Sequence, residues 1–347
     1  MSTPLNWLMI GAGAIGTYIG ASLQQHGHRV IFLEQAAAAI EIRRHGMHLR
    51  LENGDSYHIA DPCLADSVEE AIASTPFDAA ILAIKSFDTA SVLERLIPYE
   101  QHLPALICLQ NGVENETILA AVLGAERIIP GTVTSAVSRR AAGDIVVERQ
   151  RGLGLGSLHP QSANFALAFN QAGLNTRMYP RPADMKWSKM LTNLVGNATS
   201  AILDLTPAQV FTHPALFRLE ISQLREALTV MDRMGIQVVN LPGVPVRLLA
   251  LAAQRFPFSL ARPLLQRAVG RGRGTKMPSF HIDLHSGRGR SEVDYLNGAV
   301  VRAGKRVSIP TPVNALLNDT LLALISNSLS VANFRHKPAA LLDRISG

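Results

Sequence analysis

The sequence predicts an α/β chain in two parts: a doubly wound, mostly parallel sheet, then an all-helical second part. Three observations predict this. Continuous apolar runs alternate with helical patterns through the first half, as strands buried on both faces do. Beyond Pro182 the apolar residues recur at helical spacing almost throughout. A chain of 347 residues, 47% hydrophobic and 17% charged, suits two compact domains rather than disorder. The domains are placed at residues 1–180 and 183–347, with a linker at Pro180–Pro182.

The elements follow in order. Residues 7–10 form a short apolar strand that enters a glycine turn. Residues 14–26 read as a helix ended by Gly27, and residues 29–33 (RVIFL) as a second strand ending at Glu34. Residues 78–84 and 105–109 are further buried strands, each followed by polar residues and a new helix. Around 128–137 and 144–158, short β runs with Gly143, Gly152, Gly154 and Gly156 suggest antiparallel strands that finish the sheet. Helices are then predicted over 186–203, 207–211, 215–234, 246–256, 260–269, 291–303 and 312–328. The run GRGRGTK at 270–276 reads as a mobile loop.

The turn Gly11-Ala-Gly13-Ala14-Ile15-Gly16 follows a strand and opens a helix, the context that gives a G-x-G-x-x-G its meaning. Gly11 allows the tight turn, Gly13 lets the backbone approach a pyrophosphate, and Gly16 lets the helix pack on the sheet. The free N–H groups of Ala14, Ile15 and their neighbours at the helix start then face the phosphates. This makes the first part a Rossmann-type dinucleotide-binding domain. Glu34, at the tip of the second strand, can accept from a ribose 2′-hydroxyl and repels a 2′-phosphate, which favours NAD(H). Lys85, at the end of the strand at 78–84, can pair with that phosphate and points to NADP(H).

The run from Asp184 to Ile202 reads as one helix, capped by Asp184 and followed by Pro207. Lys189, Asn193 and Asn197 fall in one row beside its apolar stripe, with Lys186 and Ser200 nearby. After Lys189 the helix carries no ionised side chain, so it is expected to be covered on most sides. An amine and two amides there need partners, which a cleft for a small polar molecule supplies. The alternative is a snorkelling lysine with two amides that bridge backbone. Asn111, in Gln110-Asn111-Gly112 beyond a strand end, is placed either for nicotinamide and substrate or for an ordinary Asn-Gly turn. Ser291 can cap a helix with Asp294 closing a box-like start, and Glu292 then falls in the first turn. Ser279 offers a hydroxyl near the start of its own helix.

Charge and cysteines narrow the class. Nine Lys/Arg against one acid lie between Leu241 and Arg290, a local +8 that leaves the rest of this net +6 chain close to neutral, so the basic pI marks one local region and not a nucleic-acid binder. That region is read as a solvated helical insertion beside a cleft or a subunit interface, over the rival of a basic amphipathic pair on an anionic membrane or nucleic acid. Cys63 and Cys108 give neither metal spacing nor a disulfide framework, no metal is implied, and a cytoplasmic location is favoured. No apolar run reaches about 18 residues, so no membrane span is expected.

Together these residues resemble the ketopantoate reductase (2-dehydropantoate 2-reductase) family, within the wider 6-phosphogluconate dehydrogenase-like group. The landmarks are GAGAIG at 11–16, AIKSFDT at 83–89, QNG at 110–112, WSKMLTNLVGNATSAI at 187–202, KMPSF at 276–280 and SEVDYLNG at 291–298. The resemblance implies a helical C-terminal domain of the 6-phosphogluconate dehydrogenase-like type. It implies reduction of a 2-oxo acid, most simply ketopantoate to pantoate in pantothenate biosynthesis, with NADP(H) as the usual cofactor. Lys189 matches the family's general acid, with a pKa expected to be lowered by dry surroundings. Asn193 and Asn197 match amides that hold the substrate, and Ser279 a serine at its carboxylate. Glu292 matches an acid near the substrate hydroxyl and the lysine, Asn111 the asparagine between nicotinamide and substrate, and Lys85 a lysine near the adenosine ribose. The chain departs at Glu34-Gln35, where relatives often carry arginine, and at Asp204, where some carry asparagine. The expected partners are a small 2-oxo acid and, as an open option, a second copy in a homodimer. Two alternatives stay open: the same fold acting on another 2-oxo or 3-hydroxy acid, and a dinucleotide-binding redox sensor without turnover.

Overall fold

The computed structural model describes residues 3–273 and 276–345. Contacts divide the chain into two units. The first comprises Met1–Gln110, Glu114–Lys186 and Leu241–Val244; the second Asn111–Val113, Trp187–Asn240 and Pro245–Gly347.

The first unit is built on strands β1 (Asn6–Ile10), β2 (Arg29–Leu33), β3 (Met47–Arg50), β4 (Ser56–Ile59), β5 (Leu64–Ala65), β6 (Ala79–Leu82), β7 (Ala105–Cys108), β8 (Ile128–Val133), β9 (Ala136–Ala141), β10 (Asp144–Arg149), β11 (Leu153–Gly156) and β12 (Thr176–Tyr179). Its helices are α1 (Ala14–Gln25), α2 (Ala36–His45), α3 (Val68–Ser74), α4 (Thr89–Leu96), α5 (Asn115–Leu123) and α6 (Ser162–Gln171). An eight-stranded sheet runs β12-β11-β8-β7-β6-β1-β2-β5. It is parallel from β5 to β8, and β11 runs antiparallel to β8. The order reverses between β1 and β6, so the loops after those two strands diverge and leave a crevice at their carboxyl ends.

The predicted antiparallel finish is only half of what forms. β8 and β11 do close the main sheet, but β9 and β10 leave it and join β3 and β4 in a separate four-stranded sheet. The cause is α1. Its sequence AIGTYIGASLQQ carries no charge, and Gly16 through Leu23 are all buried, so its outer face needs a cover. Met47, Leu49, Ile145 and Val147 supply it, in one core with Trp7, Tyr18, Ile19 and Leu23. On the far face of the main sheet a second core joins Leu8, Ile10, Leu82, Leu96 and Cys108.

The second unit is helical: α8 (Ala198–Leu203), α9 (Pro207–Thr212), α10 (Pro214–Arg233), α11 (Val246–Arg255), α12 (Phe258–Arg273), α13 (Ser279–His285), α14 (Val293–Arg306), α15 (Pro312–Ile325) and α16 (Pro338–Leu342), preceded by α7 (Pro182–Leu194), which bridges the division. Several expectations are corrected. The helix expected from Asp184 to Ile202 is broken: α7 stops at Leu194, Gly196 takes φ +59°, and Asn197 starts α8. Asp184 lies inside the first turn of α7, which begins at Pro182, and does not cap it. Only Pro180 and Arg181 lie between β12 and α7. Helix α12 continues through Arg273, so most of the expected loop at 270–276 is helical, and its Gly274 and Thr275 lie outside the described residues. Glu292 is the N-cap of α14 rather than a first-turn residue, and the Ser291 hydroxyl accepts from Val293 N–H instead of closing a box with Asp294. Among the described residues no helix is long and apolar enough to cross a membrane.

Candidate active site

The glycine turn sits at the crevice of the first unit. Gly11 takes φ +95°, and a Cβ there would stand 2.6 Å from Ile84 Cγ2. A Cβ on Gly16 would collide with the Gly11 carbonyl oxygen, so only glycine lets α1 start this close to the turn. At Gly13, the N-cap of α1, a Cβ would meet no atom within 4 Å. The open side of Gly13, with the N–H groups of Ala14 and Ile15 in the first turn, fits a pyrophosphate. The turn is braced by Thr17, whose hydroxyl donates to Ala12 O at 3.0 Å.

Glu34 closes one side. Its Oε2 accepts from Ala12 N–H at 2.6 Å and its Oε1 from Gln35 N–H at 2.8 Å. A hollow runs past it, lined by Gly11, Glu34, Gln35, Asp88, Ser91 and Arg95 among others. These are groups that suit a ribose and its base. Lys85 precedes a short 3-10 turn at the end of β6 and is half-buried; its carbonyl accepts from the Gln110 amide at 3.3 Å.

Gln110 is the hub beneath this crevice. Its amide also donates to Ile84 O at 3.3 Å and Thr89 Oγ1 at 2.9 Å, which ties the end of β7 to the loop after β6. Its own carbonyl accepts from Lys186 Nζ at 2.6 Å. Lys186, only 5% exposed, pairs with Glu116 at 2.7 Å and donates to Gly131 O at 3.2 Å. One buried ammonium thus joins the end of β7 and the middle of β8 to α5. Burial first, and the neighbouring Glu116 carboxylate second, push the Cys108 thiol far above its ordinary range, so it stays a neutral core group. Sequence reasoning placed Lys186 only as a neighbour of the polar row. The signal was a lysine held between Met185 and Trp187 in a helix with no exposed face for it.

The second unit collects the other residues. Asn193 Nδ2 donates to Asn111 Oδ1 at 3.0 Å, although the two are 82 positions apart. Asn197 Nδ2 donates to Asn193 O at 3.1 Å and to Ser279 Oγ at 3.4 Å, while its Oδ1 accepts from Phe280 N–H at 3.1 Å. Asn111, Asn193, Asn197 and Ser279 therefore form one linked chain of polar groups. Asn197 is buried, Asn111 and Asn193 are half-buried, and Ser279 is exposed. Lys189 stands one turn before Asn193 on α7 and is half-buried. Glu292 is 2% exposed at the start of α14.

The break between α7 and α8 sets this geometry, and sequence reasoning missed what holds it. Glu220 of α10, fully buried, accepts from Gly196 N–H, Thr199 Oγ1 and Gln223 Nε2 at 2.6, 2.6 and 2.8 Å. A carboxylate with three donors satisfies the backbone freed by the break. The turn rotates Asn197 off the α7 row to the head of α8, where it meets Ser279. Two of the basic side chains are held within this unit: Arg247 Nε donates to Val238 O and Arg262 to Thr212 O.

Comparison with known proteins agrees with the resemblance. A family model described as ketopantoate reductase PanE/ApbA matches residues 7–160, and one described as ketopantoate reductase PanE/ApbA C terminal matches residues 183–324. The chain is similar to the 2-dehydropantoate 2-reductase of Halobacterium salinarum, 26% identical over 320 residues, which span 89% of this chain and 95% of that one. It is likewise similar to the 2-dehydropantoate 2-reductase of Pyrobaculum aerophilum, 26% identical over 322 residues, 91% of this chain and 96% of that one. The solved structure of a PanE/ApbA family ketopantoate reductase from Ralstonia eutropha superposes with a TM-score of 0.77 at 25% identity, over 93% of this chain and 99% of that one.

Proposed function

The chain belongs to the ketopantoate reductase family, and we propose that it reduces a 2-oxo acid with NAD(P)H, turning 2-dehydropantoate (ketopantoate) into pantoate for pantothenate biosynthesis. The linked polar chain Asn111–Asn193–Asn197–Ser279 supports this most strongly: uncharged donors and acceptors from four segments join at the helix that also carries Lys189, one turn before Asn193. Residues 1–180 bind the nucleotide and 183–347 the oxo acid.

A bound reduced nicotinamide supplies the hydride. Negative charge then develops on the carbonyl oxygen of the oxo acid. Lys189, as an ammonium, stabilises that charge and gives up its proton to the new hydroxyl. Asn111, Asn193 and Asn197 fix the orientation of the oxo acid without adding charge. Ser279 donates to its carboxylate, and Glu292 accepts from its distal hydroxyl and balances Lys189. Gly11, Gly13, Ala14, Ile15 and Gly16 hold the pyrophosphate, and Glu34 and Lys85 flank the adenosine ribose. A cytoplasmic location and no nucleic-acid partner belong to the same reading.

A steady-state assay with ketopantoate and each reduced nicotinamide tests it. Oxidation of nicotinamide that saturates with ketopantoate is expected. Cofactor binding without oxidation by ketopantoate or any other oxo acid would replace the reductase with a sensor.

A further inference from the structure

We propose that the second unit contains a binding site for a divalent transition metal of the zinc class, formed by the carboxylate of Asp204 and the imidazoles of His281 and His285. One ligand atom from each of the three lies within 4.8 Å of the others. Asp204 ends α8 in the left-handed region, φ +52° and ψ +42°, and Asp204 Oδ1 stands 2.8 Å from His281 Nε2. His281 and His285 are four positions apart on α13, so both rings lie on one face, with centroids 4.3 Å apart. Two imidazoles at that spacing form a natural metal chelate.

The surroundings suit a ligating carboxylate. The other oxygen, Oδ2, accepts from Arg335 Nε at 2.9 Å, and His336 Nε2 lies 3.7 Å from it. An outer partner on the free oxygen fixes a carboxylate's orientation. The segment that brings Arg335 and His336 is itself anchored, because His336 N–H donates to Leu203 O at 2.8 Å. His285 is exposed and gives a path of entry. Zinc bonds of about 2.0–2.2 Å separate neighbouring ligand atoms by roughly 3.3–3.5 Å, which small side-chain rotations reach from here. Two nitrogen donors and one oxygen favour Zn²⁺, Co²⁺ or Ni²⁺ over Mg²⁺ or Ca²⁺. Arg335 also neutralises part of the site, so moderate affinity is expected. A bound ion would pin the end of α8, whose N-cap is Asn197, to α13, which starts at Ser279.

The test is binding by the full chain, stripped with a chelator and titrated with Zn²⁺ against a chromophoric competitor, then with Co²⁺ by its visible spectrum. One equivalent is expected to bind, and to raise the melting temperature. His285→Ala, an exposed substitution compatible with folding, should weaken binding about tenfold or more, as should His281→Ala. His48→Ala, at the stacked His48–His58 pair of the first unit, should leave it unchanged. No saturable equivalent, or equal binding by wild type and His285→Ala, would reduce the cluster to an ion-pair network around Asp204. Neither result touches the reductase assignment.

Discussion

The Glu34 carboxylate accepts the Ala12 N–H at 2.6 Å, which ties the end of β2 to the glycine turn. Its charge is therefore fixed at the rim of the hollow that suits the ribose. A 2′-phosphate brought there meets a held carboxylate, whereas a 2′-hydroxyl meets an acceptor. NADH should bind more tightly than NADPH, measured by equilibrium fluorescence titration. Glu34→Gln should narrow that ratio by about fivefold, since a solvent-screened like charge about 4 Å away is worth about 1 kcal/mol. NADPH preferred by the unaltered chain would mean that Lys85 and Arg95 dominate.

Glu220 holds the break between α7 and α8. Replacing it with alanine strands the Gly196 N–H, the Thr199 hydroxyl and the Gln223 amide in a dry site. A loss of about 3 kcal/mol in denaturant unfolding is expected. The KM for the oxo acid should also rise, because Asn197 sits at the same turn. Unchanged stability would show that the break is held by other contacts.

His28 makes folding sensitive to mild acid. Burial first, and then the nearby His26, hold its pKa below the ordinary value of 6.5, and its Nδ1 accepts from Leu5 N–H at 3.0 Å. The unfolded chain thus takes up this proton at a higher pH than the folded one. Its contribution is present above about pH 6.5 and is lost as the pH falls through the depressed folded value. His28→Gln keeps an acceptor and removes the titration. The gap between wild type and variant in unfolding midpoint should shrink as pH falls below about 6.5. A constant gap would contradict the assignment.

Much of this was legible in the sequence because it is coded locally. Gly11, Gly13 and Gly16 announce a turn through spacing alone, and Glu34 follows at the expected distance. The neighbours Lys189 and Asn193 were visible from helical period, whereas Asn197 is turned off that row by the break. What stayed hidden depends on partners far along the chain. The apolar period continues through Leu194, Val195, Ala198 and Ala201 and masks the break, of which Gly196 was the local sign; Glu220 holds it from another helix. The sheet of β3, β4, β9 and β10 is made of short runs that are polar or carry charges, and only the uncharged outer face of α1 hinted that a cover was needed. His281 and His285 signal little until the turn at Asp204 brings a carboxylate to them.

The central claim is that Lys189 supplies the proton. Turnover of ketopantoate by Lys189→Ala, with cofactor binding measured in parallel, tests it most directly. The account predicts a fall in kcat of about 10²–10⁴-fold with nicotinamide affinity retained. Turnover close to that of the unaltered chain would contradict it.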